Sequence, residues 1–201
     1  ITQLFANNEQ GFAFDFNDLS TMYQDAAGTI PVTDVGQPVG RVLDKSGRGN
    51  HATQSTSAKR PILQKNATTG AYYLAFDGVD DFLVTGNINF SGGDEITNFA
   101  GIYLNNQSGE QCLLELKDDT SIGMFNLALR YASPYANPTL ALRGSSSYIA
   151  SVYSIPKFKA PVTLILTSKG KLSATTNTSG IIVNRKNTAS SNANLGGGNF
   201  G

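Results

Sequence analysis

The chain has 201 residues, 40% hydrophobic and only 15% charged, against about a quarter charged in average globular chains; one all-β domain of this size is expected, with a core and a neutral polar surface rich in Gly, Ser, Thr and Asn. Its 15 basic and 15 acidic side chains cancel, and no basic stripe is present, so a nucleic-acid partner is not expected. No apolar run reaches the roughly eighteen residues of a membrane-spanning helix, no signal-peptide pattern is present, and the single cysteine, Cys112, allows no internal disulfide.

In chain order, the first predicted element is a short helix over residues 17–25. Leu19, Met22 and Tyr23 fall at i, i+3 and i+4, Asn17 or Asp18 is placed to cap the first amides, and Gly28 and Pro31 end it. Everything after it has the period of strands. Strands are predicted at 72–76, 82–85, 96–104, 112–116, 124–130, 139–143, 148–153, 162–167, 171–175 and 181–184. Turn residues separate them: Asn105-Asn106, Gly109, Asp118-Asp119, Ser133-Pro134, Asn137-Pro138, Gly144 and Gly170. No helix long enough for a parallel crossover intervenes, so antiparallel pairing is expected. Cys112 lies in the apolar run Cys112-Leu113-Leu114 and is expected to be a small buried hydrophobe. Residues 188–201, TASSNANLGGGNFG, have little apolar content and read as loop or linker. The expected organisation is a β-sandwich over 1–187 followed by this tail, with the polypeptide continuing beyond it or a partner completing it. The chain opens at Ile1, so a processed product, or one part of a longer polypeptide, is expected.

Two polar runs stand out. In Phe76-Asp77-Gly78-Val79-Asp80-Asp81-Phe82, the Asp-Gly pair suits a turn with positive φ, and Phe76 and Phe82 are expected to enter the core from adjoining strands. The alternative is a Ca²⁺ site on Asp77, Asp80 and Asp81, although the spacing is not that of an EF-hand and three ligands fall short of about six to eight. In Asp44-Lys45-Ser46-Gly47-Arg48-Gly49-Asn50-His51, neither phosphate-loop pattern is matched. Asp44 and Ser46 are expected to bind nearby amides, and His51, the only histidine, to tie the loop down. Arg41, Lys45 and Arg48 read as a solvated loop.

A glycosidase needs paired carboxylates on one strand face. The best strand, Glu115-Leu116-Lys117-Asp118-Asp119, puts Asp118 on the face opposite Glu115, and the chain has no Trp to stack on sugar. No catalytic residue is assigned and no enzymatic activity is expected. Tyr131, Tyr135, Tyr148 and Tyr153 lie in or near loops and are the candidate carbohydrate contacts, with packing at the core or rim as the alternative.

These residues carry a resemblance. Residues 17–25, Thr29-Ile30-Pro31-Val32-Thr33, Gly36-Gln37-Pro38-Val39-Gly40, the run from Asp44 to Gln54, Arg60-Pro61 and the run from Phe76 to Phe82 resemble the opening of concanavalin A-like (laminin G-like) domains of bacteriophage virion proteins. The resemblance covers roughly the first hundred residues; beyond Tyr103 only strand pattern supports it. It implies a two-sheet antiparallel jelly-roll sandwich with one short N-terminal helix. It implies a place in the virion, in a tail fibre, tail tip, baseplate or capsid decoration, with other virion subunits as partners in a homo-oligomer. A host cell-surface polysaccharide is the implied ligand. Related sequences close with a further apolar strand after the Gly-rich loop, which this chain lacks.

Overall fold

The computed structural model describes residues 2–90, 95–104, 111–117, 124–130, 139–143, 151–154, 162–171, 179–183 and 186–191. The chain divides into two compact units, Ile1–Ile88 and Asn89–Gly201. Among the described residues every paired strand is antiparallel. The helices are single 3-10 turns at Thr2–Phe5, Leu19–Thr21 and Ser57–Lys59. The protein is all-β and antiparallel.

In the first unit, β1 (Met22–Tyr23), β2 (Arg41–Val42) and β3 (Ala52–Thr53) form a three-stranded sheet. β4 (Ile62–Lys65) and β5 (Tyr72–Ala75) form a hairpin beside it in sequence. Period-2 alternation sets the core. Met22 opposes Val42, Val42 opposes Ala52, and all three are buried. Leu63 opposes Leu74, also buried. Met22, Val32, Val39, Val42, Leu63 and Leu74 make one cluster, lined by Phe14, Phe16, Leu19, Tyr72 and Leu83. Lys65 lays its ammonium 4.9 Å from the Tyr72 ring centroid, a cation–π contact at the end of the hairpin's core-facing side.

The helix expected over 17–25 is one 3-10 turn. Asp18 caps it, accepting from the Ser20 amide, and Thr21 Oγ1 donates to the Asp18 carbonyl at 2.8 Å. Met22 then turns extended, at φ −117 and ψ 140. A helix of two turns does not repay its nucleation alone. Strand pairing wins because it adds tertiary bonds: Val32 N–H to the Met22 carbonyl at 3.0 Å and Gln24 N–H to the Ile30 carbonyl at 2.8 Å.

Gly40 is required by a close approach. Its N–H donates to the Tyr23 carbonyl at 2.8 Å, and a Cβ there would stand 2.6 Å from the Gln24 carbonyl oxygen and 2.9 Å from the Asp25 carbonyl carbon. Both obstacles are backbone. Gly40→Ala is expected to destabilise by about 2 kcal/mol, measured as a lower urea midpoint at unchanged slope.

The second unit holds two four-stranded sheets, in the orders β10-β9-β8-β7 and β13-β12-β11-β6. Their strands are β6 (Glu95–Leu104), β7 (Gln111–Lys117), β8 (Met124–Arg130), β9 (Thr139–Arg143), β10 (Ser151–Ser154), β11 (Val162–Lys171), β12 (Ser179–Val183) and β13 (Lys186–Ser191). β10 touches β12 and β13, so the sheets meet at that edge. β6 and β11 pair unbroken from Glu95–Lys171 to Leu104–Val162.

Several expectations are corrected. Gly170 is inside β11, opposite Ile96, and makes no turn. The tail read as loop from Thr188 pairs as part of β13 through Ser191. Residues 82–85 form only an isolated bridge, Thr53 to Val84. Phe76 and Phe82 are half exposed rather than core residues, because without a second strand nothing turns them inward. Cys112 is exposed on β7, where the register slips between Cys112 and Leu114 and breaks the alternation. The other predicted turns lie outside the described residues.

Candidate functional site

The run from Asp44 to His51 is a hydrogen-bonded hub. Asp44 Oδ1 accepts from the amides of Ala13 at 2.8 Å and Ser46 at 2.9 Å. Its Oδ2 accepts from Ser46 Oγ at 2.6 Å and the Asn50 amide at 3.0 Å. Partial burial pushes the carboxyl upward, but the bonds from Ser46, Ala13 and Asn50 outweigh it and hold it below the usual carboxylate value. His51 Nδ1 accepts the Asp44 N–H at 2.9 Å, which places the neutral ring's proton on Nε2. The histidine therefore serves the backbone of its own loop.

The three basic residues are not a solvated group. Arg48 donates to the Phe5 carbonyl at 2.6 Å, Asn8 Oδ1 at 2.6 Å and the Glu9 carbonyl at 3.0 Å. Lys45 pairs with Asp18 at 2.8 Å and Asp15 at 3.4 Å. Arg41 donates to the Ala27 carbonyl at 3.1 Å. Asn50 Nδ2 adds a bond to the Gly11 carbonyl at 2.7 Å. Each cation is committed to a different stretch of backbone or acid. The loop thus straps the N-terminal segment to the sheet. The sequence did not announce this, since those partners lie some thirty to forty positions away.

The run from Phe76 to Phe82 is a second polar turn. Gly78 takes φ +76, as the Asp-Gly pair predicts. Asp77 Oδ1 accepts from the amides of Val79, Asp80 and Asp81, which hold its carboxyl below the usual value. Asp81 Oδ2 accepts the Asp77 N–H at 3.0 Å, and Asp80 pairs with Lys59 at 3.3 Å. The turn is moored to the sheet by Gln54, nearly fully buried, whose Nε2 donates to the Phe82 carbonyl at 3.1 Å.

The carboxylates of Asp77, Asp80 and Asp81 do offer atoms within 4.8 Å of one another. By themselves they make an incomplete calcium shell. Three side chains fall short of the about six to eight oxygens Ca²⁺ takes, and one oxygen of each is engaged by a protein donor.

Of the candidate sugar contacts, Tyr153 lies in β10, opposite Leu140. Tyr131, Tyr135 and Tyr148 lie outside the described residues. Glu115 is exposed on β7 opposite Asn126, and Asp118 and Asp119 lie outside the described residues. Among the described residues no helix is long and apolar enough to cross a membrane.

Compared with known proteins, the chain matches no family model, no curated protein and no solved structure.

Proposed function

We propose that the chain is a structural subunit of a bacteriophage virion, built as a two-sheet jelly-roll sandwich of the concanavalin A-like kind, that adheres to host polysaccharide or decorates the particle. The observation that carries this reading is the pair of runs at 44–54 and 76–82. They bear the sequence resemblance, and their polar atoms are spent on backbone amides and neighbouring chain. Residues employed in that way hold loops in shape, which suits a binding or assembly module. The balanced charge suits neutral sugars.

A glycan array with the full chain tests it. Binding confined to one sugar class is expected, weakened about tenfold when Tyr131, Tyr135, Tyr148 or Tyr153 becomes alanine. An array without binding contradicts adhesion and favours the second reading, a subunit that only cements its neighbours. That reading draws on β6 standing last in its sheet, among the described residues. Release of reducing ends, abolished by Glu115→Gln, overturns both in favour of a hydrolase.

A further inference from the structure

Residues 5–11 turn back on themselves. The Phe5 ring lies against Gly11, where a Cβ would stand 3.1 Å from its Cε1. A short loop with its ends in contact is a compact unit of the Ω type. From residue 3 to residue 10 no side chain is buried, and the core cluster with the side chains packed on it begins at Phe14. Among the described residues, every hydrogen bond that joins residues 5–10 to the rest of the chain comes from one side chain. Arg48 donates from Nη2 to the Phe5 carbonyl, from Nη1 to Asn8 Oδ1 and from Nε to the Glu9 carbonyl. All three acceptors are neutral, and the bonds to Asn8 and Glu9 are exposed to water. The Glu9 carboxylate is engaged within the loop, by the Asn7 amide at 2.8 Å and Asn7 Nδ2 at 3.1 Å. Asn8, at φ +69, is the one non-glycine residue in the left-handed region among the described residues, so Arg48 also grips the most strained backbone of the loop. At the far end, Gly11 has φ +147, a conformation that suits glycine. Asn50 Nδ2 holds its carbonyl at 2.7 Å. Ala13 is then fixed twice, its N–H to Asp44 Oδ1 at 2.8 Å and its carbonyl to the Lys45 amide at 2.8 Å.

We propose that residues 5–11 are a releasable clasp, latched by Arg48 and hinged at Gly11, that opens as one piece while the core stays folded. A single latch makes the opening concerted. Once the guanidinium leaves its three oxygens, no other hydrogen bond among the described residues ties the loop down, and water replaces those bonds at little net cost. The hinge is a glycine set directly before an anchored stretch, so the change in φ and ψ is absorbed there and goes no further. The clasp stores length. Closed, Phe5 touches Gly11; extended, the seven residues from Phe5 to Gly11 reach about 23 Å. Opening releases that chain without disturbing Met22, Val42, Leu63 or Leu74. It does not depend on sugar binding or on a place in a virion.

Native-state cleavage of the full chain by a glutamate-specific protease tests this, because Glu9 lies inside the clasp. Cutting after Glu9 is expected to run at least about tenfold faster in Arg48→Ala than in the wild type, with the Leu63 amide equally slow to exchange in both. Equal cutting in the two proteins, or a Leu63 amide that loses protection with the latch, overturns the proposal. If Arg48→Ala does not fold, the wild type decides through urea. A local opening exposes little surface, so cutting after Glu9 is expected to stay flat in low urea while exchange of the Leu63 amide accelerates. Cutting that climbs in step with Leu63 exchange overturns the proposal.

Discussion

Leu63→Ala is expected to destabilise the first unit by about 3 kcal/mol, read as a lower urea midpoint with an unchanged slope. Leu63 has 0% exposure and opposes Leu74 across the hairpin. Its backbone is fixed on the other side as well, donating to the Gln37 carbonyl at 2.9 Å and accepting from the Gly36 amide at 2.8 Å. The cavity left by truncation is therefore flanked by chain that is pinned and slow to collapse, which places the cost in the middle of the range for such truncations. Leu4→Ala is the control. Leu4 is 65% exposed, and its loss is expected to cost under about 0.5 kcal/mol. A Leu63→Ala loss no larger than that of the control contradicts the assignment of the core to Met22, Val42, Leu63 and Leu74.

Asp44→Ala is expected to cost about 3 kcal/mol as well, by a different route. The substitution strands the amides of Ala13, Ser46 and Asn50 and the Ser46 hydroxyl, all part-buried donors, and each stranded donor carries a desolvation penalty. Asp44→Asn keeps one acceptor but turns an N–H₂ toward other donors, so about half that loss is expected. The same residue gives the protein a pH dependence. Its folded pKa lies below its ordinary value of 3.8. Its contribution is thus present above the unfolded pKa and is lost as pH falls through the folded one. The urea midpoint of the wild type is expected to be flat above about pH 5 and to drop below about pH 4. Asp18 and Asp25, partly buried, and Asp77, exposed, are lowered in the same direction, so part of the drop survives in Asp44→Asn while the remainder is removed. An identical acid profile in the two proteins contradicts the hub.

Strand pattern was legible where the ladder is long. Residues 96–104, 124–130 and 139–143 read as strands and are strands, because the strand-like residue pattern there coincides with antiparallel pairing along each run. It was illegible at Met22 and Tyr23, where helical spacing of three apolar residues competed with pairing to Val32 and Val42, and pairing won through contacts distant in sequence. Gly170 misled for a related reason: glycine punctuates a sequence read in isolation, yet the β6 ladder carries the strand through it. Core positions for Phe76 and Phe82 require two adjoining strands, and residues 82–85 form only an isolated bridge, so both stay half exposed. In the candidate site the local chemistry was readable. Asp44, Ser46, His51 and Asp77 carry turn bonds within a few residues, and the residue types imply them. The reach of Arg48, Lys45 and Asn50 to the N-terminal segment was not, because charge alone does not say which distant backbone it meets.

Hydrogen exchange resolved to single amides probes the role of the two polar runs most directly. In the wild type, the amides of Ala13, Ser46 and Asn50 are expected to be protected together. In Asp44→Ala those three are expected to exchange freely while Leu63 N–H, bonded to the Gln37 carbonyl at 2.9 Å, stays slow. Free exchange of Ala13 and Asn50 in the wild type, or protection that survives the loss of the Asp44 carboxylate, contradicts a loop whose polar residues exist to hold the chain in place.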